Sequence, residues 1–136
     1  MHVFDTNICI DFLRGKLPHA FNLMQQADPE QFGIPAIVEA ELRLGAEKSS
    51  DPTNSTFALE QLIRPFKVLP FDSLCALSYS HIRAELEAIG KPLGPADFFI
   101  AATAMAHQAT LVTNDRAFAR VPGLKVEHWA EVEFQL

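Results

Sequence analysis

Cysteine is scarce in this chain of 136 residues: Cys9 and Cys75 are the two it has. Both sit inside apolar helical patterns. That excludes a disulfide framework or a zinc cluster and reads as two small buried hydrophobes of a reduced, cytoplasmic protein. Long hydrophobic runs are missing. No segment reaches the roughly 20 apolar residues of a membrane span. The start has neither the basic residues nor the apolar stretch of a secretory leader, so none is expected. Basic charge is in deficit: 11 Lys and Arg face 17 Asp and Glu, for a net charge of −6. This argues against a broad basic surface that grips nucleic acid, while leaving room for an acidic site with locally supplied cations. Neither GxGxxG nor a phosphate-cradling glycine loop is present, which removes dinucleotide and Walker-type nucleotide chemistry. No repeat or low-complexity tract stands out.

What is present is a globular composition, 49% hydrophobic. Its length predicts a single domain over 1–136 with a sizeable core. Short strand candidates alternate with helices. His2–Phe4 reads as the first strand, and Thr6 caps a helix to about Arg14, with Gly15 just past its end. Pro18 starts a helix to about Ala27. Gln31–Ile34 is a weak strand, and Pro35 opens a helix through about Lys48. Ser49–Thr56 is polar and reads as a loop, with helix resuming over Phe57–Ile63. Lys67–Leu69 is a strand. Asp72 or Ser73 then caps a helix to Ile89 whose Leu74, Leu77, His81, Ile82, Leu86 and Ile89 form an apolar stripe bordering the core. Pro95 opens a helix to about His107, apolar nearly all round and therefore central. Thr110–Thr113 and Lys125–His128 complete the strands. Alternating strands and helices predict parallel pairing and an α/β layered fold.

Two strands run into acids. Asp5 follows the first directly, and Asp115 comes two residues after Thr113. In an open parallel sheet both would reach the rim at the carboxyl ends of the strands, where ligands bind. A lone Asp behind a strand more often caps a helix; two on one rim weigh against that reading. In VEAELRLGAEK, Glu41 falls within the apolar arc of Val38, Leu42, Leu44 and Gly45, whereas Glu39, Arg43 and Glu47 lie opposite and read as solvent-facing pairs. A carboxylate on a buried stripe needs a cation, a metal or a hydrogen-bonded network, the plain alternative being a buried Glu–Arg pair. Asp97 stands in the first turn of the central helix, where the dipole alone would favour it by about 0.3–1 kcal/mol. It is also held rigidly beside the core, as a catalytic ligand must be. Convergence of Asp5, Glu41, Asp97 and Asp115 would create an all-oxygen site suited to Mg²⁺, with Mn²⁺ able to substitute. Such ions activate a water and steady a leaving oxygen in phosphodiester cleavage.

The segments FDTNICI, EAELRLGAEKS, GPADFFIAATA and LVTNDRAFARVPGL, in this order and spacing, resemble PIN-domain ribonucleases, and among them the VapC toxins of toxin–antitoxin pairs. The resemblance runs from Val3 to about Trp129. It implies an α/β/α fold of three layers around a central, about five-stranded parallel sheet. It puts Asp5, Glu41, Asp97 and Asp115 at the acidic metal-site positions, with Thr6, Asn7 and Thr113 as supporting polar residues. It further implies a homodimer, an endoribonuclease acting on structured RNA such as transfer RNA, and inhibition by a VapB-like antitoxin whose tail enters the acidic groove. GAEKS and KPLGPAD resemble the subgroup that cuts initiator transfer RNA in the anticodon region.

Blander readings hold elsewhere. Phe12, Phe57, Phe66, Phe98 and Phe99 read as core, and Arg14, Lys16, Arg43, Lys48, Lys91, Arg116 and Arg120 as scattered surface charge flanking the acids. The five histidines show no ligand spacing. A receiver-like signalling or partner-binding module is the rival class. It calls for adjacent acids after the first strand and a late strand-ending lysine, and here Asp5 stands alone before Thr6. A phosphotransferase with a nucleophilic aspartate wants a second acid at the position of Asn7.

Overall fold

Val3 and Phe4 have no exposed surface, because the three-residue strand β1 (His2–Phe4) lies in the middle of a sheet, covered on both faces. The computed structural model describes residues 1–129. The domain expected over 1–136 reaches further, and residues 130–136 lie outside the described residues. Around β1 stand β2 (Phe32–Pro35), β3 (Lys67–Leu69), β4 (Thr110–Val112) and β5 (Lys125–Glu127), in the order β3-β2-β1-β4-β5. All four pairings are parallel. The chain steps outward from β1 through β2 to β3, then crosses to the far side of β1 for β4 and β5. Right-handed crossovers in the two directions put helical layers on both faces. This is the expected α/β/α architecture.

The connecting helices are α1 (Thr6–Leu13), α2 (Pro18–Gln26), α3 (Ala36–Glu47), α4 (Pro52–Ile63), α5 (Ser73–Ala88) and α6 (Pro95–Ala106). α5 runs against α6, α3 against α4, and α1 against α3. α6 is the central helix its composition predicts. Phe98, Ile100, Ala101, Ala102, Thr103 and Ala104 are all buried, and the Thr103 hydroxyl satisfies itself by donating to the Phe99 carbonyl at 2.8 Å. Beside β1, Phe4 meets Phe12, Phe32, Phe66 and Trp129 in one aromatic cluster. Cys9 and Cys75 are buried free thiols. Among the described residues no helix is long and apolar enough to cross a membrane.

The structure corrects several local expectations. α4 begins at Pro52, inside the polar stretch read as a loop. Asp51 caps it by accepting from the Asn54 amide at 3.2 Å, and proline sits in the first turn, where its missing N–H costs nothing. Phe57, expected in the core, is 65% exposed on that helix. On α5 the buried line is Cys75, Ile82 and Leu86, with Tyr79 between them stacked on Phe99 of α6 at 4.7 Å. Leu74 (64% exposed), Leu77, Ile89 and His81 face outward. Two apolar stripes run along α5, and contact with α6 selects the one at 75, 79, 82 and 86. Leu44 on α3 is likewise exposed. Asp5, not Thr6, caps α1. The 3₁₀ turns at Pro29–Gln31 and Arg116–Arg120 have no counterpart in the sequence reading.

Candidate functional site

The strand order reverses between β1 and β4, and at such a reversal the ligand crevice of an open parallel sheet lies outside the carboxyl ends of the strands. Asp5 and Thr113 stand at its two lips. The Asp5 side chain, 4% exposed, divides its oxygens between two tasks. Oδ1 accepts from the Ile8 amide at 2.9 Å and caps α1. Oδ2 accepts from the Thr113 hydroxyl across the crevice. The cap reading and the site reading of Asp5 are therefore both true. The Thr113 hydroxyl also accepts from the Asp115 amide at 3.0 Å, which fixes the turn that carries Asp115 outward. Asp115 caps the following 3₁₀ turn by accepting from the Ala117 amide at 2.9 Å and keeps its carboxylate at the exposed mouth.

The other two acids arrive on helices. Asp97 is half-buried in the first turn of α6, behind Gly94 and Pro95. Glu41, half-buried on α3, accepts from the Thr6 hydroxyl at 2.6 Å. A hydroxyl therefore meets the carboxylate for which a buried Glu–Arg pair was the plain alternative. Arg43 goes elsewhere, to Glu39 at 2.8 Å and Glu60 at 2.7 Å, tying α3 to α4. Arg120 donates to the Pro92 carbonyl at 3.1 Å.

Charge coupling links the acids pairwise. Burial pushes the Asp5 carboxyl up to about 6, and Asp97 and Asp115 add to the rise against the bonds from Thr113 and Ile8. Asp97 is raised by burial first, then by Asp115 and Glu41. Each of the four thus feels at least one other. The Cys9 thiol is held protonated by burial and by Asp5 beneath it, so it is no nucleophile. Among the described residues no three His, Cys, Asp or Glu side chains close around one point as a ready-made cage. Asp5, Glu41, Asp97 and Asp115 offer oxygen donors alone, a set whose chemistry suits a hard divalent cation that keeps part of its water shell.

Of the three supporting residues, Thr6 and Thr113 touch acids of the rim. Asn7 is exposed and makes no side-chain hydrogen bond among the described residues. One contact had no signal in the sequence: the His128 imidazole reaches the Thr113 carbonyl at 2.6 Å. Histidine spacing is silent on it, because the partner is a backbone atom on another strand.

Residues 2–124 match the family model of the PIN domain. The tRNA(fMet)-specific endonuclease VapC of Salmonella typhimurium is 37% identical over 131 residues, covering 93% of this chain and 96% of that protein. Ribonuclease VapC2 of Rickettsia felis is 35% identical, covering 95% and 98%. Among solved structures, DNA-bound VapBC from Salmonella typhimurium aligns with a TM-score of 0.89 at 36% identity, over 94% of this chain and 97% of that one.

Proposed function

The chain belongs to the PIN-domain family, in its VapC branch, and from that premise we propose that it is an endoribonuclease toxin held in check by a VapB-like antitoxin. What supports the reading is the charge coupling that links Asp5 to Asp97 and Asp115, and Asp97 in turn to Asp115 and Glu41, beside the switch point of the sheet. A receiver-like module leaves Asp97 and the Thr6–Glu41 pair without a task.

Asp5, Asp97, Asp115 and Glu41 would hold Mg²⁺, or Mn²⁺ in its place. Bound there, such an ion lowers the pKa of a water and stabilises charge on the leaving oxygen of a phosphodiester. The chain itself supplies position. Thr113 turns Asp5 into the crevice, Thr6 aims Glu41, and the buried body of α6 keeps Asp97 from moving. Exposed Asp115 marks the side from which a phosphate backbone approaches. Beside Glu41, a groove of about 260 Å³ runs between α1, α3 and α4 over Ile10, Leu13, Leu42 and Leu59, with Arg14 at its edge. Its apolar floor ending at an acid suits an antitoxin tail that carries apolar anchors and a terminal cation. The proposed working form is a cytoplasmic homodimer.

The substrate is structured RNA, and initiator transfer RNA is the one we propose, since relatives from Salmonella typhimurium and Shigella flexneri are tRNA(fMet)-specific. Brief expression in a host cell followed by mapping of RNA 5′ ends is expected to show one dominant cut in the anticodon region of that transfer RNA. A dominant cut in another RNA would reassign the substrate. No fragment and no growth arrest would favour a binding module. For the rim, calorimetry with Mn²⁺ on Glu41→Gln is expected to show affinity reduced about tenfold or more. Unchanged affinity would remove Glu41 from the ions' ligands.

A further inference from the structure

Thr113 is wholly buried and is held at every polar atom. Its amide donates to the Glu127 carbonyl at 3.0 Å. Its hydroxyl donates to Asp5 and accepts from the Asp115 amide. Its carbonyl accepts from Nδ1 of His128 at 2.6 Å. The last bond stands where the β4–β5 ladder runs out. The register pairs Val112 with Glu127, and the Thr113 amide extends it by one step. β5 ends at Glu127, and the Thr113 carbonyl takes its proton from a side chain, the His128 imidazole. A carbonyl oxygen can only accept, so Nδ1 carries the proton. The neutral Nδ1–H tautomer and the imidazolium both provide that donor.

His128 is itself anchored on either side. Glu127 accepts from His2 Nε2 at 2.9 Å and from Trp129 Nε1 at 3.1 Å. The Trp129 ring sits in the aromatic cluster, 5.3 Å from Phe4. The imidazole therefore has little freedom to swing off the Thr113 carbonyl.

We propose that His128 is a positioning residue for the acidic rim. By clamping the Thr113 peptide at the open end of the ladder, it sets the direction of the hydroxyl that aims Asp5 and of the turn that carries Asp115. This rests on the reading of the rim as a metal site. Without the clamp the Thr113 carbonyl loses its donor, and the peptide is free to rotate. Rotation carries the Asp115 amide off the Thr113 hydroxyl, so the turn bearing Asp115 shifts and the hydroxyl that bonds Asp5 loses one of its two partners. Partners that orient metal-binding side chains typically govern affinity or activity by about 10–100-fold.

Three variants and one spectrum test it on the full chain. Asparagine places an amide N–H near the position of Nδ1, glutamine near that of Nε2, and alanine removes both. His128→Ala is expected to weaken Mn²⁺ binding about tenfold and to lower kcat on RNA similarly, with KM for RNA nearly unchanged. His128→Asn is expected to recover most of both, and His128→Gln to stay near the alanine value. If the alanine variant does not fold, the comparison of asparagine with glutamine decides. In metal-free wild type, nitrogen NMR of the ring is expected to show the Nδ1–H tautomer. Wild-type Mn²⁺ affinity in His128→Ala, equal behaviour of the asparagine and glutamine variants, or an Nε2–H tautomer would each overturn the assignment. Asp97→Asn run in parallel separates the two questions. If it retains full cleavage and full Mn²⁺ affinity, the metal-site reading fails; if it loses both while His128→Ala keeps both, only the role of His128 fails.

Discussion

Asp97→Asn is expected to lose RNA cleavage by at least about a hundredfold in kcat/KM while folding as well as wild type. That is about 2.7 kcal/mol of transition-state stabilisation. The substitution is nearly isosteric and leaves the buried body of α6 untouched. What changes is charge. Asp97 is held up in pKa by burial and by Asp115 and Glu41, so in the metal-free protein its ionised form is a repulsive element. Removing that charge relieves the repulsion and, on the proposed reading, takes away a metal ligand at once. The variant should therefore melt at the wild-type temperature or above it without metal, and gain less than wild type when Mn²⁺ is added. Active sites commonly give up stability for function in this way. Wild-type cleavage by the purified variant, with chelator-treated and Mn²⁺-supplied samples side by side, would take Asp97 out of the chemistry.

The metal-free protein is also expected to lose stability as pH rises from about 4 to about 6, by up to roughly 3 kcal/mol from Asp5 alone. The sign follows from the direction of the shift. Asp5 ionises near 3.8 in the unfolded chain and at about 6 in the fold. Between those values the native carboxyl keeps a proton that the unfolded chain has released, so raising the pH favours unfolding. Above about 6 both states are ionised and the contribution is constant. Asp97 shifts in the same direction and adds to the trend. Glu127 and Asp72 are lowered and act oppositely at more acidic pH. The clean measurement is therefore the difference between wild type and Asp5→Asn in urea unfolding at each pH. That difference should widen in favour of the variant from pH 4 to 6 and then level off. Saturating Mg²⁺ or Mn²⁺, binding the native rim alone, should offset most of that loss above pH 6 in wild type and stabilise the variant much less. An ion at a hundred times its Kd supplies about 2.7 kcal/mol. A difference curve that stays flat across the window would mean that the buried carboxyl is neutralised by something other than a divalent ion.

Much of this was legible in the chain itself, for reasons that are local. A cap for α5 at Asp72 or Ser73, which the structure settles as Asp72, and Pro95 opening α6 are read within one turn, since a cap answers only to the amides beside it. The helical period sets Glu41 apart from the solvent face of α3, but the arc drawn for it ran too far: Val38, Leu42 and Ala46 are buried, Leu44 and Gly45 are exposed, and Glu41 lies half-buried. The burial of α6 follows from its composition, apolar nearly all round. What periodicity could not decide was which face a neighbour would cover: α5 has two apolar stripes, and its contact with α6 selected one, leaving Leu74 and Leu77 in solvent. Polar composition hid the first turn of α4 because that turn is exposed, and an exposed helix turn and a loop draw on the same residues. The double duty of Asp5 and the clamp of His128 on Thr113 join residues far apart in the chain. They exist only because β1 and β4 lie side by side and β5 stops where it does. Local order along the chain determined the elements and singled out the acids; strand order in space decided that Asp5 meets Thr113, since no short-range pattern encodes a distance between two strands.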